Sequence, residues 1–345
     1  MKKFSAIAAL MVFLPLTILR AQIDNTQSIT KSGTSAGQFL KIGVDARAAA
    51  MGGAFAAMTG DLSAMHWNAA GLGHHTGVEA MFVHNQWLAD MDYNYFALAF
   101  KVRGFGTLGL SVISLTVPDD LVRTVEQPEG TGELFNAGDI AIGLTYARQL
   151  TDRFSLGGTI KFVRQNIWHM NASAVAADIG ALFTTPFKNT RIGASITNFG
   201  SDMRLEGRDV RFSDDPDLNN QGNVEFVNAL YETDSFPLPL NFRVGIANEL
   251  YQTDNLRVSV GVDALHPNDN SESVNAGTEL AFNETLFLRA GYSTLFRSES
   301  EEGLTLGGGL HYRLWGGSTL VKIDYAYADF GMLENVQRFS LAVKF

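Results

Sequence analysis

Seven histidines, a complete lack of cysteine and one dense acidic stretch define what reactive or metal-binding chemistry this chain could support. The histidines stand at positions 66, 74, 75, 84, 169, 266 and 311, and none forms a His-x-x-x-His or similar ligand spacing. Without cysteine there is no thiolate chemistry, no disulfide and no lipid attachment through an N-terminal Cys. Ser213 to Asn220 (SDDPDLNN) offers oxygen ligands of the kind Ca²⁺ takes, but lacks a spaced loop closed by a bidentate Glu. A solvated loop is the alternative reading of that run. Gly307, Gly308 and Gly309 lie inside an alternating segment, not between a strand and a helix, so they are not a phosphate loop. Acyl-transfer chemistry would need a Ser–His pair with an orienting polar group, and no motif marks one. This reading gives no catalytic residue, no metal and no cofactor.

The remaining charged set is basic. Arg257, Arg289, Arg313, Lys322 and Lys344 each fall on the polar face of an alternating segment. They could form an anion site, or they could pair with carboxylates such as Asp45, Asp61, Glu249 and Asp324. Unpaired charge in a low-dielectric interior is costly, which favours pairing, with the cations latching an internal plug.

The elements that carry these residues are strands. In Val336 to Phe345 (VQRFSLAVKF), Phe339, Leu341, Val343 and Phe345 share one face, and Arg338, Ser340, Ala342 and Lys344 share the other. Such a strand at a chain end leaves an apolar edge unless it pairs, and a closed transmembrane barrel pairs it with the first strand. Fourteen segments read this way: 77–88, 92–102, 105–117, 138–149, 153–168, 173–185, 190–200, 239–250, 255–265, 272–282, 285–296, 303–314, 318–328 and 335–345. Most are 10–13 residues long, close to the roughly 9–11 that cross a bilayer at a tilt. Connections after even-numbered strands are short, such as Arg103-Gly104 and Asn283-Glu284, whereas 118–137, 201–238 and 297–302 are longer. That asymmetry is the one outer-membrane barrels show, and it predicts both chain ends in the periplasm. Glycines cluster on the polar faces, where they leave lumen space. Trp87, Tyr93, Tyr95, Trp168, Trp315, Tyr325 and Tyr327 suit aromatic girdles at the membrane interfaces. Phe345 is the expected barrel-assembly terminus.

Composition agrees. Charged residues make up 18% of the 345-residue chain, below the soluble average of roughly 25%. No run of about 18 apolar residues follows the N-terminus. Lys2 and Lys3, the apolar stretch Phe4 to Leu19 and Ala21 read as a signal peptide over residues 1–21. Its removal takes Lys2, Lys3 and Arg20 and moves the formal charge from −10 to −13, which argues against a nucleic-acid partner. The long segment 201–238 is itself acidic and offers a partner-binding surface.

Residues 22–76 differ from the rest. Asp45 to Met51 and Asp61 to Trp67 are short helical stretches opened by Asp, with Gly52-Gly53 and Gly71 to Gly73 as stops. The run Gly37 to Leu72 (GQFLKIGVDARAAAMGGAFAAMTGDLSAMHWNAAGL) resembles the N-terminal hatch of the PorV/PorQ group of FadL-like outer-membrane barrels. Phe39 to Phe55 and Trp67 to Leu72 carry the likeness; Ala69 stands where the group has Pro, which puts the tightness of that turn in doubt. The resemblance implies a hatch containing Phe39, Asp45, Arg47, Gly52, Gly53, Asp61, Trp67, Asn68 and Gly71. The expected fold is all-β: a 14-stranded antiparallel transmembrane β-barrel over 77–345, with a small helical hatch in its lumen. The resemblance also implies an outer-membrane component of type IX secretion that binds a translocon barrel and the C-terminal domains of cargo through external loops. The alternative is a FadL-like transporter that passes a hydrophobic molecule through the lumen, and it predicts an apolar pocket between plug and wall.

Overall fold

A computed structural model describes residues 31–187, 190–215, 226–297, 300–314 and 317–345. The signal-peptide reading over 1–21, Asp217, Glu225, Trp315 and most of the SDDPDLNN run lie outside the described residues. Fourteen strands form the wall: β1 Val78–Gln86, β2 Asp92–Val102, β3 Gly106–Thr116, β4 Ala137–Thr151, β5 Phe154–Ile167, β6 Met170–Thr184, β7 Arg191–Gly200, β8 Asn241–Gln252, β9 Leu256–Pro267, β10 Ser273–Phe282, β11 Leu286–Leu295, β12 Leu304–Arg313, β13 Leu320–Asp329 and β14 Asn335–Lys344. Each pairs antiparallel with the next, and β14 closes on β1 with Glu79 opposite Lys344 and Gln86 opposite Gln337. Phe345 extends the seam: its N–H donates to the Val78 carbonyl at 2.8 Å.

Period-two patterning sets which face each residue takes. Phe82, Phe96, Leu144, Ile160, Val175, Ile246, Leu288 and Phe339 point outward and are exposed. Such a face is stable against lipid but not against water, because only a closed barrel satisfies every backbone group at that depth. Tyr93 and Tyr95 are buried at 0% and 1% exposure, so they belong to the interior and not to a girdle. The parity of β2 decides this: they share a face with Ala97 and Ala99, while Phe96 and Leu98 face out. Trp87 packs inside the rim against Phe330, ring centroids 5.3 Å apart. Tyr325 and Phe339 do pair on the outer face, at 5.0 Å.

The wall is uneven at its two ends. One end has tight turns, such as 283–285 between β10 and β11; the other carries 117–136 and 201–240. The long connection holds a hairpin of its own, Arg211–Asp214 against Val227–Leu230, which stays outside the wall and leaves the strand count at fourteen.

Residues 38–74 fill the lumen. A 3-10 turn Gln38–Lys41 leads to α1 Ala46–Ala50; α2 Ala64–Trp67 and a 3-10 turn Ala69–His74 follow. Val44, Ala46, Ala48, Met51, Leu62 and Leu72 are completely buried. α1 is short enough to fit because Gly52 and Gly53, at φ 65° and 74°, turn the chain where a side chain would be strained. The inward glycines do not leave empty space. A Cβ on Gly193 would lie 2.0 Å from the Ala56 carbonyl oxygen, and one on Gly277 would lie 2.3 Å from that of Met51. Backbone lies against backbone there, so the inner segment is packed as densely as a protein core.

Candidate functional site

The inner segment is held mainly by carboxylates of the wall. The short turn 283–285 fixes the β10–β11 register, which sets Glu279 opposite Arg289. Glu279, fully buried, accepts from Arg47 Nε at 2.8 Å, Arg47 Nη2 at 3.0 Å, Arg289 Nε at 2.7 Å and Arg257 Nη1 at 3.1 Å. Three guanidiniums thus converge on one carboxylate, and one of them comes from the segment. Arg289 Nη1 also donates to Asp324 at 2.6 Å, and Arg257 reaches Glu284 in the turn at 2.7 Å. Hydrogen bonds from Arg257 hold the Glu284 carboxyl below its ordinary range. A second wall carboxylate, Asp263, accepts the backbone N–H groups of Phe55 and Ala56, both at 2.8 Å, and Arg243 Nη1 at 3.2 Å. Arg243 in turn donates to the Gly53 carbonyl and lies over the Trp67 ring, 4.7 Å from its centroid.

The polarity of the main contact is therefore reversed from the sequence expectation. Arg47 of the segment binds a wall carboxylate; among the described residues no wall cation pairs with Asp45 or Asp61, while Arg289 takes the other expected partner, Asp324. Asp45 accepts from Ser340 Oγ at 3.0 Å and caps α1 through Ala48 N–H at 3.2 Å. Asp61 lies 3.7 Å from Arg47 within the segment and accepts the Ser63 N–H; the position before α2 is Ser63, which makes no side-chain capping bond, so Asp61 does not cap that helix. Lys322 pairs with Glu79 at 2.7 Å. Arg313 is exposed and Lys344 half-buried, and neither joins an ion pair among the described residues. Glu249 pairs with Arg191.

The rest of the hatch sequence is structural glue. Phe39 is buried at 2% exposure. Asn68 Nδ2 donates to the Ala56 carbonyl at 2.7 Å and to Ala181 of the wall at 3.0 Å, while its Oδ1 accepts from Ala70 N–H. These bonds close the turn, so Ala69 in place of proline leaves it intact. Gly71 to Gly73 sit inside the 3-10 turn and do not stop it; a Cβ on Gly71 would lie 3.0 Å from that of Ala64.

Burial, reinforced by the Asp61 and Asp324 charges, pushes the Asp45 carboxyl up from 3.8 to about 7. A raised carboxyl favours the folded contact in its neutral form. Its contribution is complete below the ordinary pKa and is lost as pH rises toward about 7. The Asp45–Ser340 contact should therefore loosen between roughly pH 4 and 7. Hydrogen exchange of residues 45–50 measured across that range should show falling protection, and Asp45→Asn should flatten the profile. A slope unchanged in the Asn variant would refute the assignment.

Two cavities flank the segment. The one at the long-loop end, about 170 Å³, is bounded by Leu40, Ile42 and Trp67 of the segment and by Arg243, Phe330 and Arg338 of the wall and rim. Burial, with Lys161 and Arg243 nearby, pushes His66 in its floor down to about 3, so it is neutral there. The cavity at the tight-turn end, about 270 Å³, is bounded by Arg47, Gly60 and Asp61 and by Arg191, Arg257 and Lys344. The long-loop cavity lies between the segment and the wall and mixes apolar and polar side chains, so it is more polar than the apolar pocket expected of a transporter. Among the described residues no cluster of metal-ligating side chains occurs.

No family model and no curated protein matches this chain. Solved structures do. The toluene transporter TbuX of Ralstonia pickettii aligns at 13% identity with a TM-score of 0.52, over 87% of this chain and 97% of its own. A FadL homologue of Pseudomonas aeruginosa aligns at 11% identity and 0.53, over 88% and 98%. The monoaromatic hydrocarbon channel CymD aligns at 14% identity and 0.55, over 88% and 98%. These likenesses show the fold: this chain shares the closed, 14-stranded antiparallel barrel of those transporters and channels.

Proposed function

We propose that the protein is an outer-membrane transporter that carries small, largely apolar molecules through the barrel and past its inner segment. The observation that carries this reading is the pair of cavities at opposite ends of residues 38–74, in a barrel whose named structural neighbours are transporters and channels. The segment lies between the two cavities with Val44, Ala48 and Met51 completely buried in it, so the route needs the segment to shift. The tight turns and both chain ends then face the periplasm, the long loops face outward, and Phe345 serves barrel assembly. The contacts of Glu279 and Asp263 make the segment a plug latched to the wall.

The likeness of residues 37–72 to PorV/PorQ hatches keeps a secretion role as the second reading. It draws on exposed Leu230 and Tyr231 on the acidic loop as a docking surface for cargo or translocon proteins. The named structural neighbours favour transport, which reverses the order that the sequence alone suggested. Cells with an intact outer membrane exclude N-phenylnaphthylamine, so expression of this protein should raise the dye's uptake severalfold without raising sensitivity to large polar antibiotics. Unchanged uptake, with translocon or cargo recovered on affinity purification, would instead support secretion.

A further inference from the structure

Among the described residues, the outward faces of the fourteen strands carry two arginine or lysine side chains, Arg148 on β4 and Arg164 on β5. Arg148 stands opposite Leu156 at the tight-turn end, and Arg164 lies eight residues beyond Leu156 along β5. Eight residues span about 26 Å at roughly 3.3 Å each. At a strand tilt of about 40° that is about 20 Å across the membrane, close to the roughly 25 Å apolar band of such barrels. Leu156, Gly158, Ile160 and Phe162 fill the outward positions before Arg164, and none is charged. The two cations therefore mark the edges of the hydrocarbon, and Arg164 marks the edge toward the long loops. A cation on the lipid face is costly at the midplane and tolerated near an interface.

At that edge the outer surface of the wall is notched. Ser114 and Thr116 of β3, Gly138 and Ile140 of β4, and Arg164 and Asn166 of β5 border a space of about 410 Å³. Strand register explains it. Thr116, Gly138 and Asn166 lie side by side, as do Ser114, Ile140 and Arg164, and all six take the lipid-facing parity of their strands. Gly138 has no side chain and Ser114 and Thr116 have short ones, so the surface recedes beside the guanidinium. Asp139 also borders the notch, but it takes the lumenal parity of β4 and accepts from Gln165 Nε2 at 3.1 Å. Arg164 is exposed and has neither an ion pair nor a side-chain hydrogen bond among the described residues. Its donors face outward, where the protein supplies no acceptor.

We infer that this notch binds the phosphate-bearing headgroup of a membrane lipid, with Arg164 as its anchor and Ser114, Thr116 and Asn166 as further donors. The acyl chains then run down the outer surface over Ile140, Ile142 and Phe162, all of them exposed. A guanidinium fork takes two phosphate oxygens at once, and the headgroup layer presents phosphate at the depth where Arg164 stands. A lipid suits the site better than free phosphate, because the notch opens directly onto the apolar face that acyl chains cover. The site lies on the outer side of the wall, so it stands whether or not the lumen carries a ligand. Only the choice of leaflet, the outer one, rests on the orientation proposed above.

Native mass spectrometry of the full chain, released from detergent micelles that hold monophosphoryl lipid A or neutral monogalactosyl diacylglycerol, tests the site. The parent should retain monophosphoryl lipid A in preference to the neutral glycolipid. Arg164→Gln should weaken that retention about tenfold or more, the scale of a lost charge-assisted bond. Arg164→Lys should fall between, and Arg148→Gln, at the edge without the notch, should match the parent. Heat-modified gel mobility identical to the parent shows that each variant is folded. Equal retention of the two lipids, or an Arg164→Gln variant that keeps monophosphoryl lipid A as tightly as the parent, overturns the inference. Equal loss in Arg148→Gln and Arg164→Gln overturns it as well, since any exposed cation would then serve. Displacement of the lipid by millimolar inorganic phosphate overturns the choice of a lipid over the free anion. The transport reading is tested separately by dye uptake and stands or falls apart from these results.

Discussion

Glu279→Ala should free the inner segment from the wall. It removes the one acceptor shared by Arg47, Arg257 and Arg289 and leaves three guanidiniums around a buried site. Removing one partner of a buried ion pair costs about 3–5 kcal/mol, chiefly through the charge left behind. Arg257 keeps Glu284 and Arg289 keeps Asp324, so the uncompensated charge falls on Arg47, with only Asp61 at 3.7 Å. The barrel strands do not depend on that contact, so the loss should appear as exposure of the segment and not as collapse of the wall. Trypsin should cut after Arg47 in the variant and spare it in the parent, while heat-modified mobility stays that of a folded barrel. Glu279→Gln keeps an acceptor and should be intermediate. Equal protection of parent and Ala variant would mean that the glycine contacts alone hold the segment.

Those contacts give the second large effect, and the three glycines of β12 separate it from general strand damage. Gly307 and Gly309 face inward: a Cβ at 307 would lie 2.5 Å from both Ala50 Cβ and the Tyr325 carbonyl oxygen, and one at 309 would lie 2.1 Å from Asp324 Oδ1. Gly308 faces outward, and a Cβ there meets nothing nearer than 3.4 Å. Gly307→Val should therefore cost about 1–3 kcal/mol or more, as overpacking of a dense interior does. Gly308→Val should stay within about 0.5 kcal/mol, as surface changes do. Urea unfolding in a defined micelle compares the two. Equal destabilisation would show that β12 tolerates no side chain at all and that the inner contact is not the cause.

The fourteen strands were legible because lipid on one side and packed lumen on the other impose strict parity, and a single residue of slip would turn every apolar side chain inward. The same parity was misapplied at Tyr93 and Tyr95. There residue type and nearness to a strand end suggested a girdle, while their faces, shared with Ala97 and Ala99, placed them inside. The latch was half legible. Arg257, Arg289 and Lys322 stood out as cations on polar faces, but their partners depend on which strands lie side by side. Glu279 carried a usable signal: the short turn at 283–285 alone sets it opposite Arg289. Asp263 carried less, because what it binds is backbone N–H of Phe55 and Ala56, which no side-chain pattern announces. The meaning of the glycines also needed the structure, since a strand cannot reveal that the space beside it is taken by another backbone.

That passage requires the inner segment to move is tested most directly by tethering it. The chain has no cysteine, so a single engineered pair reports without interference. A Cβ on Gly261 of β9 would lie 3.7 Å from Ala54 Cβ in the middle of the segment, within the range at which a disulfide closes, and 2.9 Å from the Ala54 carbonyl oxygen, so heat-modified mobility of the reduced double variant must first match that of the parent. In cells expressing A54C with G261C, uptake of N-phenylnaphthylamine should be lost when the disulfide is formed and should return on reduction. Uptake that stays equal in both states, with the disulfide shown to be complete, would contradict a route past the segment.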